Sequence, residues 1–174
     1  DNMLISGETI DYGPCAFMDE YNPSIYFSSI DRHGRYSYKN QPAIMIWNLS
    51  KLAEAFIPLI DSNKERAVSK LSEVLNLTMP TYQEYFYIEM GKKFGLKNID
   101  EEVINLINKY MKILEDNNID YTLSFRDLAK LLSNNKKIDL TVFKNVKDFV
   151  GWYNKFINLS SFKKSSKDKI SKEM

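Results

Sequence analysis

Asp1 and Asn2 stand side by side, and Asp11 stands ten positions after Asp1, directly before Tyr12-Gly13-Pro14. Carboxylate and amide oxygens are hard donors. A divalent cation such as Mg2+ takes ligands of this kind and completes its shell with water and substrate phosphates. The intervening "MLISGETI" reads as two short strands around a tight turn, with Gly7 supplying a positive φ. Pairing of residues 3–5 with 9–10 across Ser6-Gly7-Glu8 would bring Asn2 and Asp11 to one end of an antiparallel hairpin. Two strands alone are marginal in water, so Leu4 and Ile10 are expected to lean on the rest of the chain. Asp-Tyr-Gly is also a common surface turn, and the tripeptide by itself does not choose between the two readings.

Protein kinases hold Mg2+ with a catalytic-loop Asn and the Asp of D-F-G, and here "DYG" would stand for "DFG". The kinase loop spaces its base four residues ahead of the Asn, whereas Asp1 abuts Asn2. Either the base lies upstream or Asp1 does a different job. His33, the sole histidine, is flanked by Asp31, Arg32 and Arg35 and could move protons, but a histidine beside a glycine turn is more often simply exposed. Arg35 could bind a phosphate or tie its loop to the helical body, and the second role is favoured. Cys15 has no activating base nearby and reads as an inert thiol. The tyrosine-rich "TYQEYFYIEM" has helical spacing and reads as packing rather than a stacking platform.

Composition narrows the classes. At 174 residues the chain fits one domain. With 11 Tyr, 10 Phe and 2 Trp it is expected to form a packed globule. A net charge of +1 gives no global field toward nucleic acid or membrane, and only Arg32, Arg35, Arg66 and Arg126 could make forked phosphate contacts. A single cysteine forms no internal disulfide and fits a reducing compartment. By eye no apolar run is long enough to cross a bilayer. A cytoplasmic protein without nucleic-acid or membrane partners is the expectation.

The elements that must position these residues follow from periodicity. Residues 1–13 are expected to form the metal-loop hairpin, 14–42 a long irregular segment, 43–158 a helical body and 159–174 a basic tail. In the body, Met45, Leu49, Leu52, Ala53 and Phe56 predict a first helix that Pro58 ends or kinks. Val68, Leu71, Val74 and Leu75 predict a second, and Tyr82, Tyr85, Phe86 and Met90 a third with Gly95 as C-cap. Val103, Ile104, Ile107, Tyr110, Met111 and Leu114 predict a fourth, capped by Asp100 or Asn98. Phe125, Leu128, Leu131 and Leu132 predict a fifth, with Ser124 and Asp127 at capping-box spacing. Val142, Val146, Phe149, Val150, Tyr153 and Ile157 predict a sixth. The fold class is therefore mainly α with one short β-hairpin near the N-terminus.

Over the first 60 residues the chain resembles one family closely. "DNMLISGETIDYGPCAF", Gly34-Arg35-Tyr36, Asn40-Gln41-Pro42 and Trp47-Asn48-Leu49 match the T-D-N-M-S-I, T-I-D-Y-G-P-F-G-F, G-R-Y, N-Q-P and W-N-L-x-x-L-A patterns of the selenoprotein O family. These are YdiU-like protein adenylyltransferases with a kinase-like fold. Further on, "KKFGL" and "DYTLSFRDL" resemble the family's K-L-G-L and D-Y-T-x-x-F-R-x-L. The resemblance implies transfer of AMP from ATP to Ser, Thr or Tyr hydroxyls of proteins, with ATP bound in an orientation reversed relative to kinases. It implies that Asp1 is the proton acceptor, that Asn2 and Asp11 bind Mg2+ (or Mn2+), and that Asp11 also meets the nucleotide phosphates. Cys15-Ala16-Phe17 replaces the family's Phe-Gly-Phe. The family's Gly-rich region and its Lys–Glu pair have no counterpart here. On this resemblance the chain is the helical C-lobe of a bacterial adenylyltransferase, starting on the catalytic loop and inactive by itself. A helical interaction module without catalysis is the alternative.

Overall fold

A computed structural model describes residues 3–8, 16–133, 141–143 and 146–159. A 3-10 turn at Tyr38–Asn40 leads into α1 (Gln41–Ile60), followed by α2 (Lys64–Lys93), α3 (Glu101–Asp116), α4 (Tyr121–Leu132) and α5 (Lys147–Asn158). Among the described residues the only β pairing is one isolated antiparallel bridge, Glu20 with Asp120. The fold is mainly helical, as expected.

The short hairpin is not seen among the described residues. Residues 3–8 carry no strand. The Gly7 N–H donates to the Leu4 carbonyl at 3.1 Å, so the turn closes one residue earlier than Ser6-Gly7-Glu8 would. Gly7 does take the positive φ, +73°. Leu4 is 44% exposed rather than leaning on the body. A strand pair without a packed face has little to hold it, and Ile5, at 86% exposed, shows that this segment finds no such face. The second arm, residues 9–10, lies outside the described residues.

The chain divides into two units, Asp1–Phe17 with Pro23–Glu84, and Met18–Asn22 with Tyr85–Met174. The first holds α1 and the greater part of α2. The second and third expected helices are a single α2, which runs through Pro80. Proline removes the donor that the carbonyl of Asn76 would have used. Asn76 is exposed, so water can meet that carbonyl. Pro58 likewise sits inside α1, which ends two residues later, at Ile60. Asp61 then closes the corner: its carboxylate accepts from the Asn63 N–H at 3.0 Å and pairs with Lys70 at 3.0 Å and Arg66 at 3.4 Å. The first of these bonds, then the Lys70 ammonium, lower the Asp61 pKa below its ordinary value. No residue of α1 is buried. The stretch Tyr38–Ile60 is long and apolar enough, by length and composition, to cross a membrane. That corrects the sequence reading, in which no apolar run was long enough to cross a bilayer.

The second unit has a core of its own. Asp100 caps α3, accepting from the Val103 N–H at 2.9 Å. The i, i+3, i+4 spacing then turns Val103, Leu106, Ile107, Tyr110, Met111 and Leu114 inward, and all six are buried. Asp120, not Ser124, caps α4: its carboxylate accepts from the Leu123 N–H at 2.7 Å, while the Ser124 hydroxyl donates to the Tyr121 carbonyl. Asp127, the other half of the expected box, is fully buried, pairs with Lys130 at 2.9 Å and accepts from the Val142 N–H at 2.8 Å. The sixth expected helix starts later than its first apolar residues, at Lys147.

Two helix ends use the same device. At the end of α2 the Leu96 N–H donates to the Gly91 carbonyl at 2.8 Å and Gly95 N–H to Lys92 at 3.0 Å, with Gly95 at φ +67°. This is the paired closure in which a left-handed residue satisfies the last carbonyls. At the end of α3, Ile119 and Asn118 make the matching bonds to Leu114 and Glu115, and Asn118 takes φ +49°. Between these ends lies an aromatic cluster. The Phe94 ring meets Tyr110, Phe125, Trp152 and Phe156 at centroid distances of 5.0–5.9 Å. Trp152 donates its indole N–H to the Leu106 carbonyl at 2.8 Å, so its burial leaves no orphan donor. The Tyr110 hydroxyl is buried with no hydrogen-bond partner among the described residues. Burial, first of all, pushes its pKa up and keeps it neutral.

Candidate functional site

Asp1, Asn2 and Asp11, the residues whose types and spacing suggested a metal and phosphate site, lie outside the described residues, as does Cys15. Among the described residues no group of three or more His, Cys, Asp and Glu side chains could hold a metal ion. The described residues of the same unit offer the loop that enters α1 and the cavity beside it.

That loop, "DRHGRYSYKN", is organised by one carboxylate. Asp31 accepts from the backbone N–H of Arg35 at 2.8 Å and of Tyr36 at 2.9 Å. Short Asp side chains bind backbone groups a few residues ahead and so stabilise turns. Gly34 occupies the bend at φ +62°, with the Tyr26 ring 3.5 Å from where a Cβ would stand. Its carbonyl accepts from the Asn40 side-chain amide at 2.8 Å. Backbone bonds from Tyr38 to Ile25 (3.1 Å) and from Lys39 to Pro23 (2.8 Å) pin the loop's exit.

Arg35 lies over the Trp47 ring at 4.4 Å and near the Tyr36 ring at 5.7 Å. A stacked guanidinium of this kind contributes about 0.5–1 kcal/mol at an exposed site. Trp47 belongs to α1, so Arg35 does tie the loop to the helix. His33 is exposed on the same loop, as the sequence reading favoured. The tyrosine-rich stretch splits. Met90 is buried and Phe86 and Tyr87 pack against the core, but Tyr85 is 61% exposed.

A cavity of about 370 Å3 opens beside the loop, and Met3, Tyr36, Gln41, Met45, Asn48 and Tyr82 are among the residues that line it. Its wall is largely apolar, with amides and phenols at intervals. Burial raises the pKa of Tyr82, and of Tyr38 nearby, where the Tyr82 phenol adds to the effect. Both phenols are held in the neutral form. Met3 follows Asn2 in sequence, which puts the cavity next along the chain to the candidate metal site. Sequence reasoning took Asp31 only as a neighbour of His33 and missed its role as the clamp. The signal was available in a carboxylate four residues ahead of Arg35 across a glycine.

With the fold and loop described, comparison with known proteins gives the class. The family model described as "Protein adenylyltransferase SelO" matches residues 1–174. The chain belongs to the SelO family. A "Protein nucleotidyltransferase YdiU" from Rhizobium etli is 47% identical over 131 residues, 75% of this chain and 26% of the relative. Proteins of the same name from Maridesulfovibrio salexigens and Lachnoclostridium phytofermentans are 43% identical over 156 residues and 48% over 129. These matches take in 90% and 74% of this chain, and 32% and 27% of the relatives. The chain thus spans between a quarter and a third of the length of the curated relatives it matches.

Proposed function

We propose that this chain carries the proton-accepting and metal-binding segment and the helical C-lobe of a kinase-like protein adenylyltransferase. The enzyme it serves moves AMP from ATP to Ser, Thr or Tyr hydroxyls of proteins in the cytoplasm. The carrying observation is the SelO-family match across residues 1–174, which includes the "DN" and "TIDYGP" segments that hold the candidate residues.

The chemistry of those residues supports the reading. The hydroxyl oxygen of the protein substrate forms a bond to the α-phosphorus of ATP. The bond from that phosphorus to the oxygen bridging to the β-phosphate breaks, and diphosphate leaves with the electron pair. Asp1 accepts the hydroxyl proton. Asn2 and Asp11 offer an amide and a carboxylate oxygen, a donor set suited to Mg2+. When bound there, the ion takes up part of the negative charge on the polyphosphate. Positioning and charge stabilisation carry most of such a reaction.

The test compares the chain alone with a chimera in which it replaces the matching segment of the Maridesulfovibrio salexigens relative. Both are incubated with ATP labelled at the α-phosphate, Mg2+ and a generic protein substrate. The chimera is expected to label protein and the chain alone to label little or none. In the chimera, Asp11→Ala abolishes labelling, because the charge on the phosphates then goes unbalanced, while His33→Ala leaves much of it. Strong labelling by the chain alone overturns the partial-site reading. Full activity of the Asp11 variant removes the ligand assignment.

A further inference from the structure

α1 is a helix with apolar residues on every side. At 100° per residue, Ile44, Met45, Ile46, Trp47, Leu49 and Phe56 already point into most sectors of the wheel. Lys51 and Glu54 are its only charges, and they pair with each other at 2.7 Å. A helix apolar all round belongs in the core of a larger protein or in a membrane. In this chain it has neither setting. Trp47, Leu52, Phe56, Leu59 and Ile60 are between 36% and 76% exposed.

Two observations favour a protein core over a bilayer. At 20 residues α1 would reach across the hydrocarbon, but its two charges sit near its middle, where a bilayer opposes them most. Val74 and Leu77 of α2 and Phe27 and Ile30 ahead of α1 are also exposed, more apolar surface than a spanning helix alone accounts for. The supply of a protein partner is on the page too. The chain accounts for only 26–32% of the length of its relatives, so most of a SelO-family polypeptide lies outside the region it matches.

We propose that α1 and the exposed apolar residues of α2 in the same unit are the seat on which the remaining portion of a SelO-family polypeptide packs. α1 is then a core helix only in the presence of that portion.

Hydrogen exchange read by mass spectrometry tests this on the whole chain and on the chimera described above. The α1 amides are expected to exchange at least about 100-fold more slowly in the chimera, since local opening there approaches global unfolding. Leu52→Asp and Phe56→Asp should leave the melting of the chain alone unchanged and should lower that of the chimera, with loss of the added protection. A second measurement covers a chimera that fails to fold. The Maridesulfovibrio salexigens protein lacking its matching segment is mixed with this chain, and a one-to-one complex with α1 protected is expected by light scattering and exchange. Four results overturn the proposal: equal α1 exchange in chain and chimera, no effect of the Asp variants on the chimera, a stable dimer of this chain that protects α1 by itself, or protection only on phosphatidylcholine–phosphatidylglycerol vesicles. Failure of both the chimera and the mixture to form also overturns it.

Discussion

The two units have similar apolar raw material and use it in opposite ways. Of the 20 buried hydrophobic residues among those described, all but Ala67 belong to the second unit. Of the 17 exposed large hydrophobic side chains, all but Tyr85 and Val150 belong to the first. The second unit turns the single apolar stripe of α3 onto an aromatic cluster, with Asp100 and Asp120 capping α3 and α4 and a left-handed residue closing the ends of α2 and α3. The first unit has long helices and an ordered loop, but among its described residues Ala67 is the one buried hydrophobic side chain. The difference teaches that helix formation and core formation are separable. Local signals set the helices of both units, while only one contains the partners its apolar faces require.

The comparison breaks most sharply in the second unit. Trp152→Ala removes a buried ring and its bond to Leu106, and should cost about 3–5 kcal/mol. Phe56→Ala in the first unit, where the ring is 38% exposed, should cost less than about 1 kcal/mol. Urea unfolding followed by Trp fluorescence and far-UV circular dichroism checks both. Equal losses would show that the first unit has a core after all.

Asp127→Ala should cost about 2 kcal/mol, because the Val142 N–H loses its acceptor and the carboxylate partner of Lys130 disappears. The same denaturation experiment reads it, and an unchanged midpoint would mean that water replaces the carboxylate. A smaller effect, of opposite sign, is expected at the end of α3. Asn118→Gly should gain about 0.5–1 kcal/mol, since glycine takes φ +49° without the strain of a Cβ. Destabilisation there would show that the Asn side chain, not the backbone, holds the turn.

The smallest effects concern charge and protons. Tyr110→Phe should shift stability by no more than about 0.5 kcal/mol, because among the described residues the hydroxyl it removes makes no well-formed hydrogen bond, Ser124 being the one side chain whose hydrogen bonding acts on it. In the first unit, Asp61 has a folded pKa below its usual 3.8. Its contribution is therefore complete above the unfolded value and is lost as the pH falls through the lower folded one. A pH titration of stability between pH 5 and pH 2 should be shallower for Asp61→Asn than for the parent. Identical slopes would dismiss the Asp61 corner as a stabilising contact.

How much of this was legible in sequence depended on whether the signal was local. The α3 stripe and the Asp100 cap depend on residues within a few positions of one another, and both are found where periodicity put them. Gly95 was legible for the same reason. Two apolar stripes, Val68 to Leu75 and Tyr82 to Met90, read as two helices, because periodicity does not show that one helix runs through Pro80 with the freed Asn76 carbonyl on an exposed residue. The Ser124–Asp127 pair had the right spacing for a capping box, yet Asp120 stands where the chain enters the helix and takes the cap. The hairpin is not seen among the described residues, and the short alternation that suggested it says nothing of the face such a strand pair needs beneath it. The Arg35–Trp47 contact was half legible: the role was favoured, but the partner, twelve residues on, was not named. Of the candidate site itself, residue types and family motifs were legible, because both are properties of short stretches of sequence.

The "DYG" of this chain resembles the metal-binding motif of kinases, whereas the function proposed for the enzyme it serves is adenylyl transfer. Two parallel reactions of the Maridesulfovibrio salexigens chimera test it most directly, one with ATP labelled at the α-phosphate and one with ATP labelled at the γ-phosphate. The account predicts that protein retains the α label and not the γ label, and that Asp11→Ala removes the α signal. Retention of the γ label would mean phosphoryl transfer and would contradict it.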